Sequence, residues 1–176
     1  MHNILIVVDM QNDFVTGTLG SDDARAIVPL VAERIKKSKE DGDEIYFTRD
    51  IHFENYLETQ EGKNLPIVHC INGTEGAELV DAIKELSAGK LIIDKSGFGS
   101  INLVGLLQGI EKFNPIDSIT LIGLCTDVCI INNAMLMKAA FPEIPVIVEE
   151  SLVAGVTREG HDIAIKAMRA CQIIIK

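Results

Sequence analysis

The chain predicts a three-layer α/β/α domain built on a doubly wound, mainly parallel six-stranded sheet. Three observations carry that expectation. Six short apolar runs alternate with helical patterns along the sequence, the order expected of strands joined by helical crossovers. The first run, Ile4 to Val8, is apolar at every position, as a strand covered on both faces must be. The chemically active residues Asp9, Asp50, Lys95 and Cys129 each fall at or just after the end of such a run, and ligands in sheets of this kind bind outside the carboxyl ends of the strands.

In chain order, the segment MQNDFVTGTLGSDD after the first strand is rich in turn formers and leads to Pro29. Beyond it, Leu30, Val31 and Ile35 with the charged face Glu33-Arg34-Lys36-Lys37 read as an amphipathic helix. Gly42-Asp43 then opens a second strand, Glu44 to Thr48. From Arg49 to Thr74 no periodicity is visible, and this long polar loop holds His52 and His69. A loop of that length is usually functional or disordered.

Glu75 to Leu86 reads as helix and Leu91 to Ile93 as a strand ending at Asp94-Lys95. Leu103 to Phe113 is a helix closed by Asn114-Pro115, and Ser118 to Ile122 is a strand stopped by Gly123. A helix from Asp127 to Ala140, with Thr126 or Asp127 as its N-cap, ends at Phe141-Pro142. Pro145 to Val148, Thr157 to Ala170 and Gln172 to Ile175 complete the alternation as strand, helix and strand.

The 176 residues, 47% of them hydrophobic, suit one domain spanning residues 1–176 with a sizeable core. Sixteen basic against 26 acidic residues give a formal charge of −10, which argues against nucleic-acid or anionic-membrane partners. Cys70, Cys125, Cys129 and Cys171 are too sparse for a secreted disulfide framework, and with no signal peptide or spanning stretch visible the expected compartment is the cytoplasm.

Cys129 falls in the first turn of its helix, where unpaired backbone N–H groups and the helix dipole would favour a thiolate and could also hold an oxyanion. Taken alone, it reads equally as a buried packing residue. The combination with Asp9 and Lys95 changes that balance, because a thiol nucleophile needs a proton acceptor and a nearby positive charge. Asp50-x-His52 on an extended segment puts two donors on one side, and His69 follows after a loop, as a zinc, iron or manganese site would allow. The four-residue spacing of Cys125 and Cys129 leaves a redox pair or a metal site open as well, and His2 and His161 read as structural or solvated.

The segments IVVDMQNDF (6–14), TRDIHF (48–53), LPIVHCINGTEG (65–76), DKSGFGS (94–100) and GLCTDVCI (123–130) together resemble the ordered signature of the isochorismatase-like cysteine hydrolases, particularly the nicotinamidases. The resemblance implies a Rossmann-like sheet and a hydrolase of a linear carboxamide C–N bond. Cys129 would be the nucleophile, Asp9 the general base and later acid, and Lys95 the cation that lowers the thiol pKa. It implies a non-proline cis bond at Leu124–Cys125 and an oxyanion hole from the backbone N–H groups of Cys125 and Cys129. It also implies one divalent metal on Asp50, His52 and His69, zinc first and iron or manganese next, with Glu61 the candidate fourth donor and Glu54 and Glu58 behind it. Phe14 would pack on a substrate ring, with Leu65 standing where many relatives have tryptophan and Phe98 replacing part of the lost stacking. The implied reaction makes nicotinate and ammonia from nicotinamide in NAD salvage through a thioester. The alternatives are another small amide or related substrate, or a catalytically silent binding domain on the same fold. A homo-oligomer is compatible with the likeness, but no stretch marks an interface.

Overall fold

Strand β1 (Asn3–Val8) forms the spine of the sheet. Ile4, Ile6 and Val8 point to one face and Leu5 and Val7 to the other, and all five are at most 1% exposed, so the unbroken apolar run meets a helical layer on each side. The computed structural model describes residues 1–176. Strands β2 (Glu44–Asp50), β3 (Leu91–Lys95), β4 (Ser118–Leu124), β5 (Val146–Ala154) and β6 (Ile174–Ile175) complete one six-stranded sheet in the order β3-β2-β1-β4-β5-β6, and every pair is parallel.

Helices α1 (Asn12–Val15), α2 (Asp22–Asp41), α3 (Gln60–Asn64) and α4 (Asp81–Leu86) precede β3, and α5 (Ile101–Glu111), α6 (Ile131–Ala140) and α7 (Arg158–Ala170) follow it. Ala24, Ile27, Val31 and Ile35 of α2 and Ile83 of α4 close over Leu5, Val7, Ile45 and Phe47. On the opposite face Leu103 and Leu107 of α5, Ala134 and Met137 of α6, and Ile165 and Met168 of α7 close over Ile4, Ile6, Val8 and Leu121. No helix is long and apolar enough to cross a membrane.

Several element boundaries differ from those read in the sequence. Helix α2 starts at Asp22, not after Pro29, because Ser21 caps it by accepting from the Ala24 N–H at 3.0 Å. Pro29 stands on the exposed face, where water can meet the carbonyl its missing N–H leaves free. The helix expected over Glu75 to Leu86 is broken. Glu75–Ala77 is a single 3₁₀ turn, and Glu78 to Val80 run extended, with the Asn12 N–H donating to Glu78 O at 2.9 Å and the Val80 N–H to Met10 O at 2.9 Å. Burial of Leu79 and Val80 against this ladder overrides their helical spacing.

The long loop after β2 is ordered around a parallel bridge between His52 and Ile71, with a 3₁₀ turn at Tyr56–Glu58 and the short helix α3. Strands β3, β4 and β5 each run further than expected, so Lys95 is the last residue of β3. The helix expected from Asp127 begins instead with a π-helical turn, Thr126–Ile130, preceded by Cys125 in extended conformation.

The parallel registers align the strand ends. Val8 lies opposite Gly123, and Asp50 opposite Lys95. Crossovers leave β1 for β2 on one side, while β4 lies on its other side, so the crevice at the carboxyl ends of β1 and β4 is the switch point of the sheet. Gly123 sits there with φ +112°, and a Cβ on it would lie 2.2 Å from Val8 O. Replacing Gly123 with Ala is therefore expected to cost about 2 kcal/mol or more, lowering Tm by several degrees in a thermal unfolding scan.

Candidate active site

Asp9 is the first residue past β1 and turns the chain through a left-handed conformation, φ 47°. Its carboxylate is fully buried. The Thr48 hydroxyl donates to Oδ1 at 2.7 Å. Oδ2 forms an ion pair with Lys95 Nζ at 2.8 Å. Lys95 reaches the same point from the end of β3. Its Nζ is 3.4 Å from Asp50 Oδ1 and 3.4 Å from Cys129 Sγ. One buried ammonium thus touches two carboxylates and a thiol.

Burial lowers the Lys95 pKa, but the negative charge around it prevails and the net direction is upward, which keeps the group an ammonium. Burial raises Asp9 above the ordinary carboxylate range against the pull of Lys95. Burial and the neighbouring Asp9 and Asp50 charges push the Cys129 thiol well above the ordinary thiol value, and Lys95, which acts in the expected direction, does not offset them. The resting sulfur therefore carries its proton, with the buried Asp9 carboxylate beside it as the available acceptor.

The backbone around the sulfur follows from the end of β4. The Leu124–Cys125 peptide bond is cis. The next residues widen into the π-helical turn, in which the Ile130 N–H donates to Cys125 O at 3.0 Å. Cys125 and Cys129 both face the cavity, and burial pushes the Cys125 thiol up to about 12. Asn133 ties the turn to the loop after β3. Its amide donates to Cys129 O at 2.8 Å and to Phe98 O at 3.1 Å, and its Oδ1 accepts from the Ser100 N–H at 2.9 Å.

Asp50, His52, Glu61 and His69 form a second group whose donor atoms all lie within 4.8 Å of one another. His52 Nε2 is 3.0 Å from Asp50 Oδ2 and 3.5 Å from Glu61 Oε1, and His69 Nε2 is 3.7 and 3.8 Å from the same two oxygens. A tetrahedral ion with bonds near 2.1 Å requires ligand separations of about 3.4 Å. His69 Nδ1 is 2.8 Å from Ile67 O, so that ring donates from Nδ1 and turns the Nε2 lone pair inward. Burial would raise Asp50, but the imidazoles of His52 and His69 and the Lys95 charge outweigh it and hold this carboxylate ionised. Two carboxylates and two imidazoles converging in a buried space fit a divalent metal ion. Glu54 and Glu58 are exposed and outside the group.

Between the two groups lies a cavity of ≈ 80 Å³ lined by Phe14, Leu19, Leu65, Phe98, Val128 and Val156, with Cys129 on one side and Asp50, Glu61 and His69 on the other. Phe14, Leu65 and Phe98 were legible in the sequence. Leu19, Val128 and Val156 were not, since each is a lone apolar residue in a segment whose approach to the site depends on tertiary folding. The supporting polar residues were missed as well. Gln11 is fully buried and holds the end of β2 with its side chain, accepting from the Asp50 N–H at 2.7 Å and donating to Asp50 O at 2.8 Å. Tyr56 packs against His52 and His69, with ring centroids 4.7 and 5.0 Å away, and donates to Leu65 O at 2.9 Å. The position of Gln11 directly after Asp9-Met10 was a signal, because a polar side chain so close to a buried strand needs partners.

The family profile described as "Isochorismatase domain" matches residues 3–176. The chain is similar to the nicotinamidase/pyrazinamidase of Mycobacterium tuberculosis, at 28% identity over 96% of this chain and 95% of the relative. It is similar to the nicotinamidase of Schizosaccharomyces pombe, at 26% identity over 98% and 91%. Among solved structures, the pyrazinamidase of Pyrococcus horikoshii in complex with zinc superposes with a TM-score of 0.85 and 30% identity, covering 100% of this chain and 99% of that one.

Two outcomes are expected from this geometry. Titration of metal-stripped protein with a divalent ion in a calorimeter should give one site per chain, and Asp50→Asn or His52→Ala should weaken it at least about tenfold. Because the folded state holds the proton on Cys129 above the ordinary thiol range, thiolate is scarce at neutral pH and grows as pH rises. Alkylation of Cys129 by iodoacetamide in the metal-stripped protein should therefore accelerate about tenfold per pH unit between pH 7 and 9, followed by mass spectrometry. A rate already level at pH 7 would contradict the assigned direction.

Proposed function

The chain belongs to the isochorismatase family, and from that premise we propose that residues 1–176 act as one domain that hydrolyses nicotinamide to nicotinate and ammonia through a thioester on Cys129. One observation carries the reading: Lys95 Nζ stands 2.8 Å from Asp9 and 3.4 Å from Cys129 Sγ beside a small, mostly apolar cavity. The nicotinamidase relatives supply the substrate.

In this mechanism Asp9 Oδ2 takes the Cys129 proton as the sulfur attacks the carboxamide carbon. The backbone N–H groups of Cys125 and Cys129 donate hydrogen bonds to the developing oxyanion. Asp9 returns the proton to the amide nitrogen, the C–N bond breaks and ammonia leaves. Asp9 then deprotonates a water molecule, which attacks the thioester. The acid is released and the proton returns to sulfur. Lys95 pulls against the burial that raises Asp9 and stays against whichever of the two groups is negative. Phe14, Leu65 and Phe98 enclose the substrate ring and exclude bulk water.

Asp50, His52, Glu61 and His69 would hold the metal, with zinc the first choice for a site of two imidazoles and two carboxylates. Bound there, the ion would supply a Lewis-acid anchor that orients the substrate. The zinc complex of the Pyrococcus horikoshii pyrazinamidase supports that choice.

The test is ammonia release from nicotinamide, pyrazinamide and aliphatic amides, with and without chelator. Turnover of the aromatic amides is expected, with chelation raising KM or removing activity. Preference for aliphatic amides would overturn the substrate assignment. Cys129→Ala should abolish turnover with an unchanged Tm, and Asp9→Asn should lower kcat at least about 100-fold.

A further inference from the structure

The turn carrying Cys129 is held from outside the catalytic group by the first turn of α7. Thr126, the fully buried first residue of the π-helical turn, has Oγ1 2.9 Å from His161 Nδ1. Its neighbour Asp127 accepts from the Val156 N–H through Oδ1 at 2.9 Å. Close approach is possible because Gly160 is bare where a Cβ would stand 2.1 Å from Asp127 Oδ2, and Gly155 is bare where one would stand 2.9 Å from His161 Cβ. The other ring nitrogen of His161, Nε2, faces Glu150 Oε1 at 4.0 Å, and Glu150 is itself paired with Arg169 at 2.9 Å. Which of His161 Nδ1 and Thr126 Oγ1 donates follows from the imidazole tautomer.

A π-helical turn has wider, poorer hydrogen-bond geometry than an α-turn and relies on its surroundings to fix its pitch. Thr126 lies three residues before Cys129, so rotation of the turn about the sheet would move Sγ relative to Lys95 and Asp9. We propose that His161 is a positioning residue: its Nδ1 bond to Thr126 sets where the nucleophile turn presents the Cys129 sulfur. The role rests on the reading of Cys129 as nucleophile, yet it needs no contact between His161 and substrate. No local pattern in the chain signals it, since a lone histidine on a charged helix reads as solvated.

The two amide replacements of His161 separate this role from simple packing. Asparagine puts an amide atom where Nδ1 stands, while glutamine puts one where Nε2 stands and leaves Thr126 without its partner. In the metal-loaded full chain, H161Q and T126V should lower kcat for nicotinamide roughly tenfold with KM changed less than about twofold, whereas H161N and T126S keep at least about a third of wild-type kcat. Cys129 alkylation by iodoacetamide at pH 9 should slow about threefold or more in H161Q and T126V only, because the sulfur loses its alignment with Lys95. Wild-type kcat and alkylation in H161Q and T126V would overturn the proposal. Equal losses in H161N and H161Q, or losses that merely follow a lowered Tm, would do the same. Should H161Q fail to fold, T126V against T126S decides the matter. If the wild-type protein releases no ammonia from nicotinamide, the proposed function fails, and the alkylation ranking alone still decides the role of His161.

Discussion

The structure depends most on the buried ammonium of Lys95. A lone charge in the interior is costly, and here it is shared among Asp9, Asp50 and Cys129 at 2.8, 3.4 and 3.4 Å. Asp50 also joins the two functional groups, because Oδ1 faces Lys95 while Oδ2 lies 3.0 Å from His52. The carboxylate–ammonium–thiol cluster and the metal-donor cluster are therefore one electrostatic unit. A change in the charge held by the four donors acts on Asp50 and, through Lys95, on Asp9 and the thiol.

The sheet makes this sharing possible. Parallel pairing in register ends β1, β2, β3 and β4 on one rim, and a lysine side chain can cross from β3 past β2 to the acid that follows β1. The alternation of strand and helix, the rim and the meeting of Asp9, Lys95 and Cys129 there were legible in the sequence, because each follows from local pattern plus the rule that ligands sit at strand ends. The Asp-x-His spacing made Asp50 and His52 candidates, and the family resemblance brought in His69 and Glu61; the structure gathers all four into the group that could hold a metal. The features that were not legible depend on tertiary contact. Glu78 to Val80 lie in an apparently helical stretch, yet pair with the segment after β1. Gln11 acts as a surrogate backbone partner for Asp50. The Cys129 thiol is raised because it is fully buried next to two carboxylates, and neither its burial nor that company is written in the local sequence.

That raised thiol suits the proposed reaction better than a resting thiolate would. Amide cleavage needs a proton for the departing nitrogen, and the sulfur stores it. Moving the proton from Sγ to Asp9 exchanges one neutral thiol and one carboxylate for one thiolate and one neutral acid. The net charge of the buried cluster does not change. In a medium of low dielectric, a step that creates no net charge avoids most of the desolvation cost of ionisation. Lys95 lies within 3.4 Å of both ends of the transfer, so the cation follows the negative charge without moving far. Burial raises Asp9 above the ordinary carboxylate range, which makes it a stronger base for the proton it must accept and later return.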